Sequence, residues 1–276
     1  MSNVAHKRYH KLYKDFKVAH IVPVSCLPTI ASNHYHMCLA HLVAQNDEYA
    51  QFYRDMSDNG RFVLMDNGAA ENSQLEVGEL LGLYERIRPT EIVVPDTLCD
   101  SKSTLEKADQ FISQHSDLPY RFMAVPQGKT YEEWCACATT MLEQYKRINT
   151  IGVSKFLNIA TDDPYIRFAA SKHVEAEAER LGMDIDIHLL GCDEGPSIVN
   201  DIQTEVPSVR GCDSAFVYIA TQAGIVIDSS TQRPEGEIDF IGGDYKLGLI
   251  ENMVRFNSVA GAMFNMDATW PVSDRW

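Results

Sequence analysis

Short β-prone apolar runs recur along this chain, each stopped by a polar or turn residue and followed by a stretch of helical periodicity. No other feature limits the fold as strongly, because parallel strands need a crossover of a dozen or more residues and a helix is the usual solution. Eight runs can be marked, at residues 20–26, 35–42, 61–66, 91–96, 121–127, 150–156, 186–192 and 209–215. Eight is the number of strands that closes a parallel barrel. The intervening stretches, among them LEVGELLGLYERI, SKSTLEKADQFISQ and TYEEWCACATTMLEQYKRI, carry the apolar period of helices lying on a sheet. Residues 245–260 supply one more amphipathic helix to close the outer layer, and residues 228–244 read as an excursion loop. With no low-complexity linker dividing residues 1–276, the expectation is a single-domain (β/α)8 TIM barrel of the α/β class.

The ends of these runs are unusual. In RFVLMDNGAAE the apolar residues stop at Asp66, with a loop of almost no side chains behind it. Asp96 ends its own run, Gln127 the next, and Asp213 the last. A barrel gathers its strand ends at one face, so three carboxylates and an amide from distant parts of the chain would converge there. Such a set suits recognition of a flat base and attack on a sugar carbon. Each aspartate also has a plainer reading, since a carboxylate at a strand end often caps the next helix.

The formal net charge of −15 argues against a nucleic-acid partner. The first residues oppose that average: Lys7, Arg8, Lys11, Lys14 and Lys17 alternate with Tyr9, Tyr13 and Phe16 at helical spacing. A basic amphipathic helix fits residues 6–17, either packed across a barrel end or binding phosphate. No apolar run is long enough to span a membrane, so a cytoplasmic protein without a membrane partner is expected. The seven cysteines are odd in number and scattered, which favours reduced thiols. Cys135 and Cys137 turn away from each other on a helix, and His34, His36 and His41 lack accompanying carboxylates, so no metal is expected.

The motifs at these strand ends resemble those of the tRNA-guanine transglycosylase superfamily, especially the short phage and bacterial relatives that insert 7-deazaguanines into DNA. LMDNGAAE is similar to the family's Asp-Ser-Gly-Gly segment, with Asp66 in the place of the aspartate and Gly68 behind it. VVPDTLCD resembles its Asp-Glu-Cys segment through Asp96, and AVPQGKTYEEW its Val-Gln-Gly segment through Gln127 and Gly128. TIGVSKF places Gly152 at a base-facing position. IHLLGC is similar to a His-Leu-Met-Gly stretch that includes Gly191, and RGCDSAF resembles the segment carrying the nucleophile, here Asp213. The ordered resemblance covers roughly residues 20–225. After Gly224 the chain has neither cysteine nor histidine, so the C-terminal zinc subdomain of the tRNA enzymes has no counterpart, and their Pro-Thr-Arg segment is replaced by SAFVYIATQAG.

The resemblance implies a pentosyltransferase that exchanges guanine for a preQ0-type 7-deazaguanine, without a cofactor, through a covalent aspartyl-glycosyl intermediate. Asp213 would be the nucleophile and Asp66 the general acid/base. Asp96, Gln127, Gly128, Gly152, Gly68 and Gly191 would surround the base, and Lys129 and Lys155 would join the N-terminal cations on the nucleic acid. The missing zinc module favours DNA over tRNA. A tRNA enzyme and a catalytically silent nucleic-acid-binding homologue are the alternatives, and a homodimer or an accessory protein is compatible with the sequence.

Overall fold

A computed structural model describes residues 16–69, 75–163 and 165–262. Eight strands form one parallel sheet: β1 Lys17–His20, β2 Tyr35–Cys38, β3 Phe62–Met65, β4 Glu91–Val93, β5 Arg121–Ala124, β6 Ile148–Ser154, β7 Asp186–Leu190 and β8 Val209–Ser214. Their order, β1-β8-β7-β6-β5-β4-β3-β2, is that of a barrel. Its two terminal strands, β1 and β2, pack on each other and bring the cylinder nearly to closure. Outside lie α1 Ala40–Gln45, α2 Asp47–Asp58, α3 Val77–Ile87, α4 Ser101–His115, α5 Tyr131–Gln144, α6 Phe156–Thr161, α7 Ile166–Leu181, α8 Pro196–Glu205, α9 Phe216–Gln222 and α10 Leu249–Val259. The expected (β/α)8 TIM barrel is the observed fold.

Local chemistry explains the helix starts. Asn46, Asp100 and Thr130 each accept a backbone N–H three residues on, capping α2, α4 and α5. The closing helix α10 is fastened to the sheet by His20, whose ring is 3.0 Å from the Asn257 side chain.

The runs at 91–96 and 121–127 are strands only to Val93 and Ala124, so Asp96 and Gln127 follow their strands by three residues, each behind a proline. Two further strand positions differ more from the sequence reading. The run at 20–26 is not a strand, because Pro23 ends the extended segment and residues 24–30 form a 3-10 helix; β1 lies earlier, from Lys17. The run at 35–42 ends at Cys38, and its apolar continuation is the start of α1. A short unbroken apolar run does not by itself distinguish a strand from a buried helix. Phe16 is buried in the core and Lys17 pairs within the sheet, so the proposed basic helix does not extend through them. Lys7, Arg8, Lys11 and Lys14 lie outside the described residues.

The end of the barrel where the strands begin is filled by charge. Glu91 is fully buried and ion-paired with both Arg210 and, at 3.1 Å, Arg121; it also accepts from Thr150 Oγ1 at 2.6 Å. Asp186 completes the set, 2.5 Å from Arg121 and 3.3 Å from Arg210. Burial pushes the Glu91 carboxyl up, but the two guanidinium groups outweigh it and hold the pKa down to about 2. A register shift places Arg210 in this network. Val209 pairs with Ile187 and Gly211 with His188, so Arg210 is an extra residue in β8. Arg210 and Asp213, three residues apart, consequently both face the barrel interior.

Arg210→Met should leave Glu91 buried without its main partner and destabilise the fold by about 3–5 kcal/mol, measurable by urea unfolding. Because the folded pKa of Glu91 is depressed, its contribution is fully present above the ordinary value of 4.5 and is lost as pH falls toward about 2. The stability difference between wild type and Glu91→Gln should therefore shrink over that acidic window; a difference independent of pH would contradict the pairing.

Candidate functional site

At the opposite end, where the strands finish, lies a cavity of about 380 Å³, within the usual range of small-molecule sites of about 300–1,000 Å³. Its apolar wall includes Ile21, Met37, Val93, Val125, Leu190 and Phe156. Asp66, Asp96, Gln127 and Asp213 all line it, so the strand-end residues separated by much of the sequence do share one site.

Each is held differently. Asp213 is 6% exposed; its Oδ1 accepts from the Gly191 amide at 3.0 Å and lies 3.2 Å from His188 Nε2. Its other oxygen has no hydrogen-bond donor among the described residues. Gly191 adopts a left-handed φ of +65°, which turns its N–H onto the carboxylate; a Cβ there would come within 2.9 Å of the Lys155 side chain.

Asp96 is buried between two amides. Asn67 Nδ2 donates to one oxygen at 2.7 Å and Gln127 Nε2 to the other at 2.6 Å. Burial raises its pKa above the ordinary 3.8, and the two amide donors act against that rise. Gln127 is itself oriented by the Cys99 amide, which donates to its Oε1 at 3.1 Å. A carboxylate has about four lone-pair sites in all.

Asp66 has a structural task as well as a place in the cavity. Its Oδ1 accepts from the Ala40 amide at 2.5 Å, at the start of α1, where Leu39 offers no capping side chain. The carboxylate therefore caps a helix, though the one that follows the neighbouring strand β2 and not the next helix after its own strand.

Lys155 lines the cavity and pairs with Asp193 at 3.0 Å, and Arg233 pairs with the same carboxylate at 3.0 Å. The predicted excursion loop supplies that arginine. It lies across the strand-end face, with Gly236, Ile238 and Phe240 also lining the cavity, and the Phe240 carbonyl accepts from Val24 N at 2.9 Å. Asp193 and Glu237 join the three aspartates, so negative charge predominates on the lining and its cations lie together beside Asp193.

Other predicted residues are elsewhere. Gly152 does not line the cavity: a Cβ on it would meet Leu190, Met123 and Val125 within 3.1 Å, so it packs among core side chains, and Ser154 occupies the rim position of β6. Gly128 is needed where its loop presses on α5, since a Cβ would lie 2.5 Å from the Trp134 nitrogen. Gly68 is not a lining residue, although Asn67 and Ala69 on either side are. Lys129 is exposed beside the site and does not line the cavity. Asn67, His188 and Arg233 carried no role in the sequence reading; Asn67 stood within LMDNGAAE and His188 within IHLLGC, whereas Arg233 lay in the excursion loop outside any motif.

All seven cysteines are free thiols, and among the described residues no group of three His, Cys, Asp or Glu could hold a metal ion. Among the same residues no helix is long and apolar enough to cross a membrane.

No protein-family model matches the chain, and a search of curated proteins returned no match. Solved structures do resemble it. A ligand-free tryptophan synthase mutant from M. tuberculosis aligns over 91% of this chain and 95% of its own, with a TM-score of 0.54 and 8% identity. A tryptophan synthase chain from Pyrococcus furiosus aligns over 77% of this chain and 92% of its own, with a TM-score of 0.51 and 9% identity. At such identities the likeness establishes the barrel fold alone.

If Asp66 caps α1, Asp66→Ala should cost about 1 kcal/mol of stability, while Asp66→Asn, which keeps an acceptor oxygen, should cost well under half of that. Denaturant unfolding of the two variants checks this, and equal losses would argue against the cap.

Proposed function

We propose that this chain is a nucleic-acid guanine transglycosylase, exchanging guanine for a 7-deazaguanine base, with DNA as the polymer. The observation that carries the reading is the convergence of Asp66, Asp96, Gln127 and Asp213 on one cavity. These are the residues singled out by the resemblance to the transglycosylase superfamily.

The chemistry follows from their environments. The Asp213 oxygen that lacks a donor attacks C1′ of the target nucleotide as the C1′–N9 bond breaks, forming a covalent glycosyl ester. Asp66, as general acid, gives its proton to N9 of departing guanine. The resulting carboxylate then takes the N9 proton of the incoming base, whose nitrogen attacks C1′ and releases Asp213. Positive charge develops on the sugar in the transition state, and a lining rich in carboxylates favours it. Asp96 accepts from N1–H and the 2-amino group, and Gln127, braced by Cys99, has a second amide hydrogen for O6. The base must leave the stack to reach such a site, which costs a few kcal/mol. Lys155 and Arg233, which share Asp193, would exchange that carboxylate for a flanking phosphate.

Labelled guanine and a labelled 7-deazaguanine offered with DNA and with tRNA should enter DNA with wild type and not with Asp213→Asn. Entry into tRNA alone would reassign the polymer, and entry into neither would overturn the reading. Protonation of Asp96 replaces an acceptor with a donor, so guanine affinity should fall on acidification with a midpoint above 3.8, in line with the upward shift of that carboxyl. Affinity measured by calorimetry that stays level down to that pH would remove Asp96 from base recognition.

A further inference from the structure

A line of hydrogen bonds runs along the barrel interior from the charged network to Asp213. Arg210 Nε is 3.3 Å from Tyr35 Oη, Tyr35 Oη is 2.8 Å from His188 Nδ1, and His188 Nε2 is 3.2 Å from Asp213 Oδ1. Tyr35 and His188 are buried, at 2% and 0% exposure. Arg210 at the far end is pinned by Glu91 and Asp186.

The direction of this line is determined by which groups can only donate. A guanidinium has no acceptor, so Arg210 donates to the Tyr35 oxygen. The phenolic proton then points to His188 Nδ1, the acceptor placed to receive it. With Nδ1 accepting, the single proton of a neutral imidazole sits on Nε2 and points at Asp213. We infer that His188, held as its Nε2–H tautomer by Tyr35 and Arg210, is the positioning residue that orients Asp213 for attack. This inference rests on the proposed role of Asp213 and goes beyond it by assigning the group behind the nucleophile.

The neutrality of His188 has a chemical use. An imidazolium would neutralise much of the charge of the attacking carboxylate, whereas a neutral donor fixes one oxygen and leaves the other anionic. Burial drives the His188 pKa down, the Asp213 contact opposes that, and the nearby Arg210 charge adds to it. The Gly191 amide is the second donor to Oδ1. Together they fix the carboxylate plane and direct its other oxygen into the cavity. The extra residue in β8 makes this geometry available, because it lets Arg210 and Asp213 serve opposite ends of one line.

The test combines nitrogen-15 NMR of the imidazole with kinetics. Buried His20 and His36 also face acceptor oxygens through Nε2, so the His188 signal is assigned as the one lost in His188→Gln; in wild type it should be neutral, protonated at Nε2 and not titrating near neutral pH. Tyr35→Phe removes the donor to Nδ1 and should produce a mixture of tautomers. In base exchange, His188→Gln keeps an amide donor near the Nε2 position and should stay within about threefold of wild-type kcat. His188→Phe should lose about 100-fold in kcat with KM for the free base little changed, the scale of removing one oriented donor. Equal losses in the Gln and Phe variants, an Nδ1–H tautomer, or an imidazolium in wild type would each overturn the assignment. Should wild type exchange no base at all, the reading of the site would fail, while the spectra would still decide the direction of the donor line.

Discussion

The ion pair between Glu91 and Arg210 is the interaction on which much of the barrel interior depends. A carboxylate with no exposure is tolerable only when its charge is matched and its lone pairs are used. Two guanidinium groups and a threonine hydroxyl meet that demand. In doing so they fix Arg210, Arg210 orients Tyr35, and Tyr35 sets the proton on His188. A solution to a burial problem at one end of the barrel thereby determines the presentation of a carboxylate at the other.

The strand-end site is economical in a physical sense, since several groups that line the cavity also hold the structure together. Asp66 caps α1 through one oxygen while lining the cavity. Asn67 and Gln127 donate to the buried Asp96, and the same contacts fix the plane of its carboxylate, on which the proposed recognition of a purine edge relies. Asp193 keeps Lys155 and Arg233 from repelling each other and gathers positive charge at one side of an otherwise acidic lining. The arrangement separates an acidic region, where the proposal puts the base and the developing cation, from a cationic one, where it puts the phosphate.

Much of this was legible in the sequence, for identifiable reasons. Strand ends could be read because apolar runs stop at Asp66, Asp96, Gln127 and Asp213, and a barrel leaves little choice about where such ends meet. The first strand was misplaced because Pro23 interrupts a run whose composition is otherwise β-like, and α1 was hidden in the continuous apolar stretch after Met37. Gly152 was read as base-facing, whereas β6 continues two residues beyond it and Ser154 takes the rim position. The contact of Asp213 with His188 depends on an inserted residue in β8, and strand alternation gives no sign of a bulge. The place of residues 228–244 over the cavity is set by long-range contacts to Asp193 and Val24, which no local pattern encodes.

The central claim is that the cavity recognises the Watson–Crick edge of guanine. Calorimetric titration of wild-type protein with guanine, a 7-deazaguanine and adenine tests it without requiring a nucleic-acid substrate. The account predicts that both guanine-type bases bind and that adenine, which presents an acceptor at N1 and lacks the 2-amino group, binds about 100-fold more weakly or less. Equal binding of adenine, or binding of a sugar phosphate in place of any base, would contradict it.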